Sequence, residues 1–360
     1  MIYLFIIFLS LFGAIILKRN NISKFIYILL CCLNILVFGL RYKVGGDTIG
    51  YVEAYKIVEP LGSNINFIYV DPSAGPIFIY IMSLFKYFTY DFTYWQFFHS
   101  FFINICIFFF CWKYSKNPFL SIFFFFLIVG IFFNTEILKE SLAVSVFLIN
   151  YINILKKRWI IFLIINLISV GFHYGALILF FVPFISKLKF DRSFIKKSII
   201  LVVLTIIGLK LLFTNFSYMP LITRASDYQD ITDRLSVGYY ILTFFKYVFV
   251  PFLCLKINNK KHLKINLNIE SMVCVYLIIG ILSLFYPGLF ERFNNYFVMF
   301  FIVYLANTIC LIYKNNIKTT FLLWILILSP YLFQYSTPIT KRWLPYYSIF
   351  NQQEYIERDI

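Results

Sequence analysis

Charged residues are scarce in this chain. They make up 13% of its 360 residues, whereas a soluble domain carries about 25%. Hydrophobic residues account for 61% of the chain, and 47 residues are Phe. A single soluble core stops growing at about 250–300 residues, so it has no room for this much apolar side chain. The composition therefore excludes an ordinary soluble domain and indicates a protein whose solvent is lipid.

The sequence also lacks the common motifs of nucleotide and metal chemistry. It contains no Walker A loop, no HExxH, no GxSxG and no Asp-x-Asp motif outside the apolar runs. Its seven cysteines all lie inside apolar stretches, and none has metal-ligand spacing with a histidine. We interpret them as buried packing thiols. We expect no metal and no cofactor, so any reaction here should be metal-independent.

Long apolar runs occupy most of the chain. They fall at 1–17, 25–40, 76–88, 95–112, 118–133, 136–155, 159–172, 174–186, 198–213, 238–256, 268–286, 293–312 and 318–334. A full membrane span needs about 20 residues, so several runs are short or re-entrant candidates. We predict an all-α, polytopic membrane bundle of roughly 10–13 apolar helices, forming one transmembrane domain over residues 1–360.

Basic residues form short clusters between these runs, and the net charge is +16. The positive-inside rule assigns the clusters at 18–24, 156–158, 187–197, 256–264 and 314–318 to the cytoplasm. This pattern argues against a nucleic-acid partner. The near-neutral segments 41–73, 214–236 and 335–360 are then outward: two loops and a C-terminal tail. The chain must cross the membrane an odd number of times between the first outward loop and the cytoplasmic Lys156. However, four apolar runs lie between them. One of them should enter the membrane without crossing, and the sequence does not indicate which.

Ionisable residues at membrane depth are functional candidates, because each costs several kcal/mol there. Arg41 and Asp47 head the first outward loop, in RYKVGGDTIGYVEAY. The structural alternative is that Asp47 caps a short amphipathic helix over 48–58, with Tyr51, Val52 and Tyr55 on one face.

Further candidates follow along the chain. Lys139 and Glu140 lie at the start of an apolar run, where an ion cluster with Glu136 is the alternative interpretation. His173 separates two short runs and is either a hydrogen-bonded structural group or a proton acceptor. Lys246 lies about two turns into its run, too deep to reach water, so it needs a partner or an anion.

The outward half holds an unusual number of cations for that side of a membrane. They are Arg41, Lys139, Arg224, Arg234, Arg292, Lys341 and Arg342. Guanidinium groups bind phosphate oxygens through two parallel hydrogen bonds. A lipid diphosphate held at the outer membrane surface would account for these residues.

Four segments resemble the EpsG/Wzy-like polysaccharide polymerases. RYKVGGDTIGYVEAY is similar to the family signature R-x-x-x-G-x-D-x-x-x-Y, with Arg41, Gly45, Asp47 and Tyr51 in place. NTEILKESLAVSVFLIN resembles a second landmark, but Lys139 and Glu140 stand where the family has Arg and Gln. GFHYGAL, with His173, and ERFNNYF, with Arg292, resemble two more.

The resemblance implies an enzyme of surface-polysaccharide assembly in the bacterial cytoplasmic membrane, with its active site facing outward. Such polymerases transfer a glycan chain from undecaprenyl diphosphate onto a lipid-linked repeat unit, in contact with membrane lipid. A flippase and a chain-length regulator are further candidate partners. The alternatives are another transferase or ligase that uses the same lipid carrier, and a lipid-linked oligosaccharide flippase or transporter.

For this chain, the resemblance and the charges together suggest two sets of residues. Asp47 and His173 are the candidate catalytic bases. The candidate substrate-binding residues are Arg41, Tyr51, Lys139, Arg224, Lys246 and Arg292.

Overall fold

The computed structural model describes residues 2–17, 19–63, 74–215, 236–261, 267–313, 317–335 and 338–355. Within these ranges the secondary structure is helical, and the only β-type pairing is two isolated bridges. The predicted all-α bundle is therefore confirmed. The chain divides into two compact units, Met1–Phe180 with Leu332–Ile360 and Phe181–Tyr331. The prediction of one domain over 1–360 stays a prediction.

The first unit contains most of the long helices. They are α1 (Ile2–Ile16), α2 (Asn21–Gly39), α3 (Thr48–Ile57), α4 (Pro76–Phe88), α5 (Phe92–Tyr114), α6 (Pro118–Phe125), a π-helix (Phe126–Gly130), α7 (Ile131–Thr135), α8 (Leu138–Leu155), α9 (Trp159–Phe172) and a 3-10 helix (Tyr174–Phe181). Short 3-10 turns, Pro338–Arg342 and Gln352–Glu354, follow near the C-terminus.

The second unit is built from α10 (Val182–Ile185), α11 (Arg192–Asn215), α12 (Val237–Thr243), a π-helix (Phe244–Phe249), α13 (Val250–Lys261), α14 (Leu267–Leu282), α15 (Pro287–Asn295), α16 (Val298–Tyr313) and α17 (Ile317–Gln334). The second unit ends at Tyr331, so the last residues of α17 belong to the first unit.

Five helices of the described chain are long and apolar enough to span a membrane. They are Asn21–Gly39, Phe92–Tyr114, Pro118–Thr135, Leu138–Leu155 and Val237–Asn259, and a sixth span results if the bent pair α15 and α16 counts as one. Several shorter helices expose large apolar side chains: Phe8 is 65% exposed and Ile160 is 76% exposed. Water would penalise these faces, whereas hydrocarbon does not. The protein is thus a multi-pass membrane protein.

The helices of the first unit place their ends at two opposite sides. Helices α2 and α5 are antiparallel, with the Tyr27 hydroxyl donating to Phe108 O (2.9 Å) and the Ser100 hydroxyl to Ile35 O (3.1 Å). Helices α5 and α8 are parallel, since His99 meets Ser141 at one end and the Tyr114 and Tyr151 rings meet at the other. The end with the C-terminus of α2 and the N-termini of α5 and α8 is called the loop end here.

The opposite end collects positive charge and is called the basic end. The turn between α1 and α2 reaches the C-terminus of α5 there, where Arg19 donates to Trp112 O at 2.7 Å. Lys113, Lys116 and the turn 156–158 between α8 and α9 lie at the same end. The segregation of these cations from the loop end agrees with the expected charge asymmetry of a membrane protein.

Helix α4 is the apolar run that does not traverse the first unit. Its N-terminus is held to the C-terminus of α9, where Gly75 N donates to Phe172 O at 3.0 Å. Three residues connect its C-terminus to α5, whose Gln96 donates to Arg41 O at 2.8 Å at the loop end. Both ends of α4 therefore lie at the loop end. Three traversing segments remain before Lys156, the odd number that the loop charges require.

Candidate functional site

Arg41 is buried immediately after α2 ends, with 1% of its surface exposed. Its Nε donates to Val44 O at 3.2 Å, and its Nη1 donates to Phe38 O. Gln96 Nε2 fixes the local backbone by donating to the carbonyl oxygens of Gly39 and Arg41, both at 2.8 Å. The Nη2 atom has no hydrogen-bond partner within the described residues. The two N–H groups of Nη2 thus remain for a ligand or water.

The charge of Arg41 survives its burial. Desolvation lowers the pKa of Arg41 to about 10, and the nearby Tyr3, Tyr346 and Glu136 act in the opposite direction. A pKa of about 10 still leaves the side chain protonated at neutral pH. A buried permanent cation at the loop end is suited to an anionic ligand.

Glu136 organises the turn that carries Asp47. It sits in the break between α7 and α8 and is 1% exposed. Its carboxylate accepts hydrogen bonds from Gly46 N and Asp47 N at 2.9 Å and from the Trp343 indole Nε1 at 2.8 Å. These hydrogen bonds come from segments that are distant in the chain.

Gly45 makes this turn possible. Its φ of +111° belongs to the left-handed region, and a Cβ there would lie 2.5 Å from Thr135 O. Thr48 secures the same junction, because its hydroxyl is within hydrogen-bonding distance of Val44 O (2.8 Å) and Thr135 O (2.9 Å). Only glycine fits this close approach of two backbones.

The C-terminal segment is part of the same structure. Gly45 N donates to Arg342 O at 3.0 Å, and Tyr42 N donates to Tyr347 O at 2.9 Å. The Arg342 side chain covers Gly46, where a Cβ would lie 3.1 Å from Arg342 Cδ. We call Arg41, Gly45–Asp47, Glu136, Arg342 and Trp343 the loop cluster.

Asp47 precedes α3, but its side chain does not cap that helix. Its backbone is already helical (φ −80°, ψ −12°), and its carboxylate makes no capping hydrogen bond. Asp47 is therefore the N-cap residue of α3 by position, as predicted, but it lacks the predicted side-chain hydrogen bond. The Glu136 carboxylate accepts from the N–H groups of Gly46 and Asp47, which precede the helix. The Asp47 side chain is exposed, which leaves it accessible for chemistry.

The other candidates of the first unit also lie at the loop end. Tyr51 is buried on α3 with its ring 6.0 Å from that of Phe78. Lys139 begins α8 and is half-buried. His173 ends α9, is 7% exposed and pairs with Ala74 in an isolated β-bridge. The fold thus gathers Arg41, Asp47, Tyr51, Lys139 and His173 at one end.

Sequence reasoning missed a polar stripe on α5. Gln96, His99, Ser100 and Asn104 are all buried at helical spacing. His99 Nε2 lies 3.1 Å from Leu138 O and 2.9 Å from Ser141 Oγ, with the Trp95 ring stacked on the imidazole. Hydrogen bonds from Gln96 to Gly39 O and from His99 to the start of α8 thus connect the end of α2 with α8. Four polar residues on one face of the apolar run 95–112 were the available signal.

The remaining candidates belong to the second unit or lie outside the described residues. Lys246 is half-buried in the π-helix, and Arg292 is exposed on α15. Arg224 and Arg234 lie outside the described residues, as does most of the predicted loop 214–236. Among the described residues, no group of three or more His, Cys, Asp or Glu is arranged to hold a metal ion.

The fold and the loop cluster define a class: a multi-pass membrane protein with a buried, permanently charged arginine at one end of a helical bundle. The model of the EpsG family matches residues 24–348, and the chain belongs to this family. Membership supports a general role of the polysaccharide-polymerase type. No curated protein and no solved structure showed significant similarity to the chain.

Proposed function

We propose that this protein polymerises a surface polysaccharide at the outer face of the bacterial cytoplasmic membrane. It would transfer a growing glycan from undecaprenyl diphosphate onto a sugar hydroxyl of a new lipid-linked repeat unit. Membership of the EpsG family supports the reaction type. The observation that carries the proposal is the buried Arg41 at the loop end, opposite the basic end. Its Nη2 atom has no hydrogen-bond partner among the described residues.

The chemistry requires one base and several cations. The acceptor hydroxyl loses its proton to Asp47 or His173, and its oxygen forms a bond to the anomeric carbon of the donor. The bond from that carbon to the diphosphate oxygen breaks, and undecaprenyl diphosphate leaves with the electron pair. Preorganised cations stabilise the charge that develops on the leaving group.

Individual roles follow from residue type. Arg41, Arg292 and Lys139 are proposed to bind diphosphate, and Lys246 and Arg224 are proposed to bind other parts of the substrate. Tyr51 is proposed to contact sugar. Family membership and the burial of Arg41 and Tyr51 support these assignments, and the reaction needs no metal, because fixed cations supply the same electrostatic stabilisation.

Deletion and complementation test the proposal. The deletion strain should lose polymer while single-repeat glycan persists on lipid at the outer face of the membrane. Loss of polymer with single repeats still attached to the cell would separate a polymerase from a ligase. Lipid-linked repeats stranded on the cytoplasmic side would instead indicate a flippase. Normal polymer in the deletion strain would refute the proposal.

Point variants test the residues. Arg41→Ala should abolish polymer, whereas Arg158→Ala should not, because Arg158 is an exposed cation at the basic end. Asp47→Asn preserves shape at an exposed position, so folding should be unaffected. If Asp47→Asn still makes full-length polymer, Asp47 is not the base and His173 is left as the candidate.

A further inference from the structure

The second unit contains a cluster around Glu291 that the family resemblance does not assign. Glu291 is half-buried on α15, and its Oε1 accepts a hydrogen bond from the Tyr239 hydroxyl at 2.5 Å. The Thr243 hydroxyl lies 3.3 Å from the same oxygen. Tyr239 and Thr243 are one turn apart on α12, so one helix face presents two hydroxyl groups to one carboxylate.

Lys246 adds a cation and aromatic surface to this cluster. Its ammonium interacts electrostatically with Glu291. Its Nζ lies 5.5 Å from the centre of the Tyr247 ring and 5.8 Å from the centre of the Tyr331 ring. The sequence required a partner or an anion for Lys246 at this depth, and Glu291 supplies the opposite charge.

A π-helix and a sharply bent pair of helices both contribute residues to this cluster. Lys246 lies in the π-helix Phe244–Phe249, where the Tyr331 hydroxyl donates to Lys246 O at 3.3 Å. Glu291 lies on α15, which is bent by 65° against α16. Backbone irregularity at membrane depth is tolerated where it is buried in protein or borders a polar cavity, and single π-turns are frequent at functional sites. The carboxylate and the ammonium therefore sit where a polar ligand is expected.

A purely structural ion pair explains the cluster poorly. Opposite charges that are partly withdrawn from water are often no more stable than well-packed apolar residues of similar size. The cluster instead offers a carboxylate acceptor, an ammonium donor, hydroxyl groups and tyrosine rings within one region. A sugar presents the complementary surfaces, because its hydroxyls both donate and accept and its ring carries an apolar C–H face.

We propose that Tyr239, Thr243, Lys246 and Glu291 form a binding subsite for a sugar residue of the glycan. The Glu291 carboxylate and the Lys246 ammonium hold the hydroxyls, and the half-buried Tyr239 ring packs against the sugar ring. This inference rests on the proposed function, which supplies a saccharide substrate. It assigns a binding role to Glu291 and leaves the choice of base open.

A binding titration tests the subsite. The probe is the repeat-unit oligosaccharide released by mild acid from the lipid-linked oligosaccharide of the host strain. Full-length protein in lipid nanodiscs should bind it saturably. Glu291→Gln should weaken binding by at least about tenfold, the usual effect of losing a hydrogen bond to a charged group. Tyr239→Phe should weaken it less, because it removes only the hydroxyl that orients Glu291.

Glu270→Gln is the matched control. Glu270 is a half-buried carboxylate of the same unit that accepts from Phe190 N at 3.1 Å, away from the cluster. Its substitution should leave the affinity unchanged. Melting temperatures establish that each variant is folded, and Lys246→Met replaces Glu291→Gln if the latter does not fold. Equal affinity of the wild type and the cluster variants would overturn the subsite, as would the absence of saturable binding by the wild type.

The deletion strain separates failure of the subsite from failure of the proposed function. If polymer is lost on deletion but the Glu291→Gln protein binds the oligosaccharide normally, the subsite alone is wrong. If polymer persists in the deletion strain, the proposed function is wrong whatever the titration shows.

Discussion

Glu136 in the first unit and Glu291 in the second are both carboxylates withdrawn from solvent in a membrane protein, yet their environments differ. Glu136 is 1% exposed and accepts from two backbone N–H groups and one indole N–H. Glu291 is half-buried and accepts from two hydroxyls beside a lysine. Backbone and indole donors are fixed in direction, whereas hydroxyls rotate. The first arrangement therefore suits a structural clamp, and the second suits exchange with a ligand.

The largest expected effect comes from removing the clamp. Glu136→Ala leaves three N–H donors, two of them part-buried and one buried, without their acceptor, which should lower the free energy of unfolding by about 3–5 kcal/mol. Polymer should be absent from the complemented deletion strain. Thermal unfolding in detergent and membrane abundance measure the change. The matched control is Glu53→Ala, at an exposed position of α3; equal melting temperatures for the two variants would contradict the clamp.

Gly45→Ala should lower the free energy of unfolding by about 2–4 kcal/mol. The substitution places a side chain on a left-handed backbone and makes it clash with a carbonyl oxygen. Its φ is +111° and the new Cβ would lie 2.5 Å from Thr135 O. Gly50→Ala is the control, since it lies within α3 and a Cβ there meets nothing within 4 Å. Melting temperatures should fall for Gly45→Ala and hold or rise for Gly50→Ala. The reverse order would show that the turn is not rigid.

Trp343→Phe should lower the free energy of unfolding by about 1–2 kcal/mol, since it removes one hydrogen bond to a charged acceptor and keeps most of the aromatic packing. Polymer should be reduced rather than lost, because Gly46 N and Asp47 N still hold Glu136. Polymer yield and melting temperature are the measurements. An unchanged melting temperature would show that the C-terminal segment is held by its backbone hydrogen bonds alone.

Glu291→Gln should have the smallest effect on stability, below about 1 kcal/mol, because the Tyr239 and Thr243 hydroxyls can reorient toward an amide. Its effect should appear in saccharide binding instead. A loss of stability as large as that of Glu136→Ala would make Glu291 a second clamp and remove the contrast between the two units.

The apolar runs were readable from the sequence with good precision. Runs 76–88 and 159–172 coincide with Pro76–Phe88 and Trp159–Phe172. The break near residue 135 was also predicted. The capping hydrogen bond predicted for the Asp47 side chain is absent, and the bond from Asp47 N to Glu136, which lies 89 residues away in the chain, was not predicted. Local sequence rules do not predict contacts between residues so far apart in the chain.

The sequence by itself determined the solvent, the helices, the family and the charge asymmetry of this protein, because each depends on composition, on periodicity or on short motifs. Only the tertiary structure decided that α4 does not traverse the first unit, that the C-terminal segment closes the Gly45–Asp47 turn, and that Glu291 faces Tyr239. These depend on contacts between distant segments. In an apolar chain many helix pairings bury similar surfaces, and the few buried hydrogen bonds select among them.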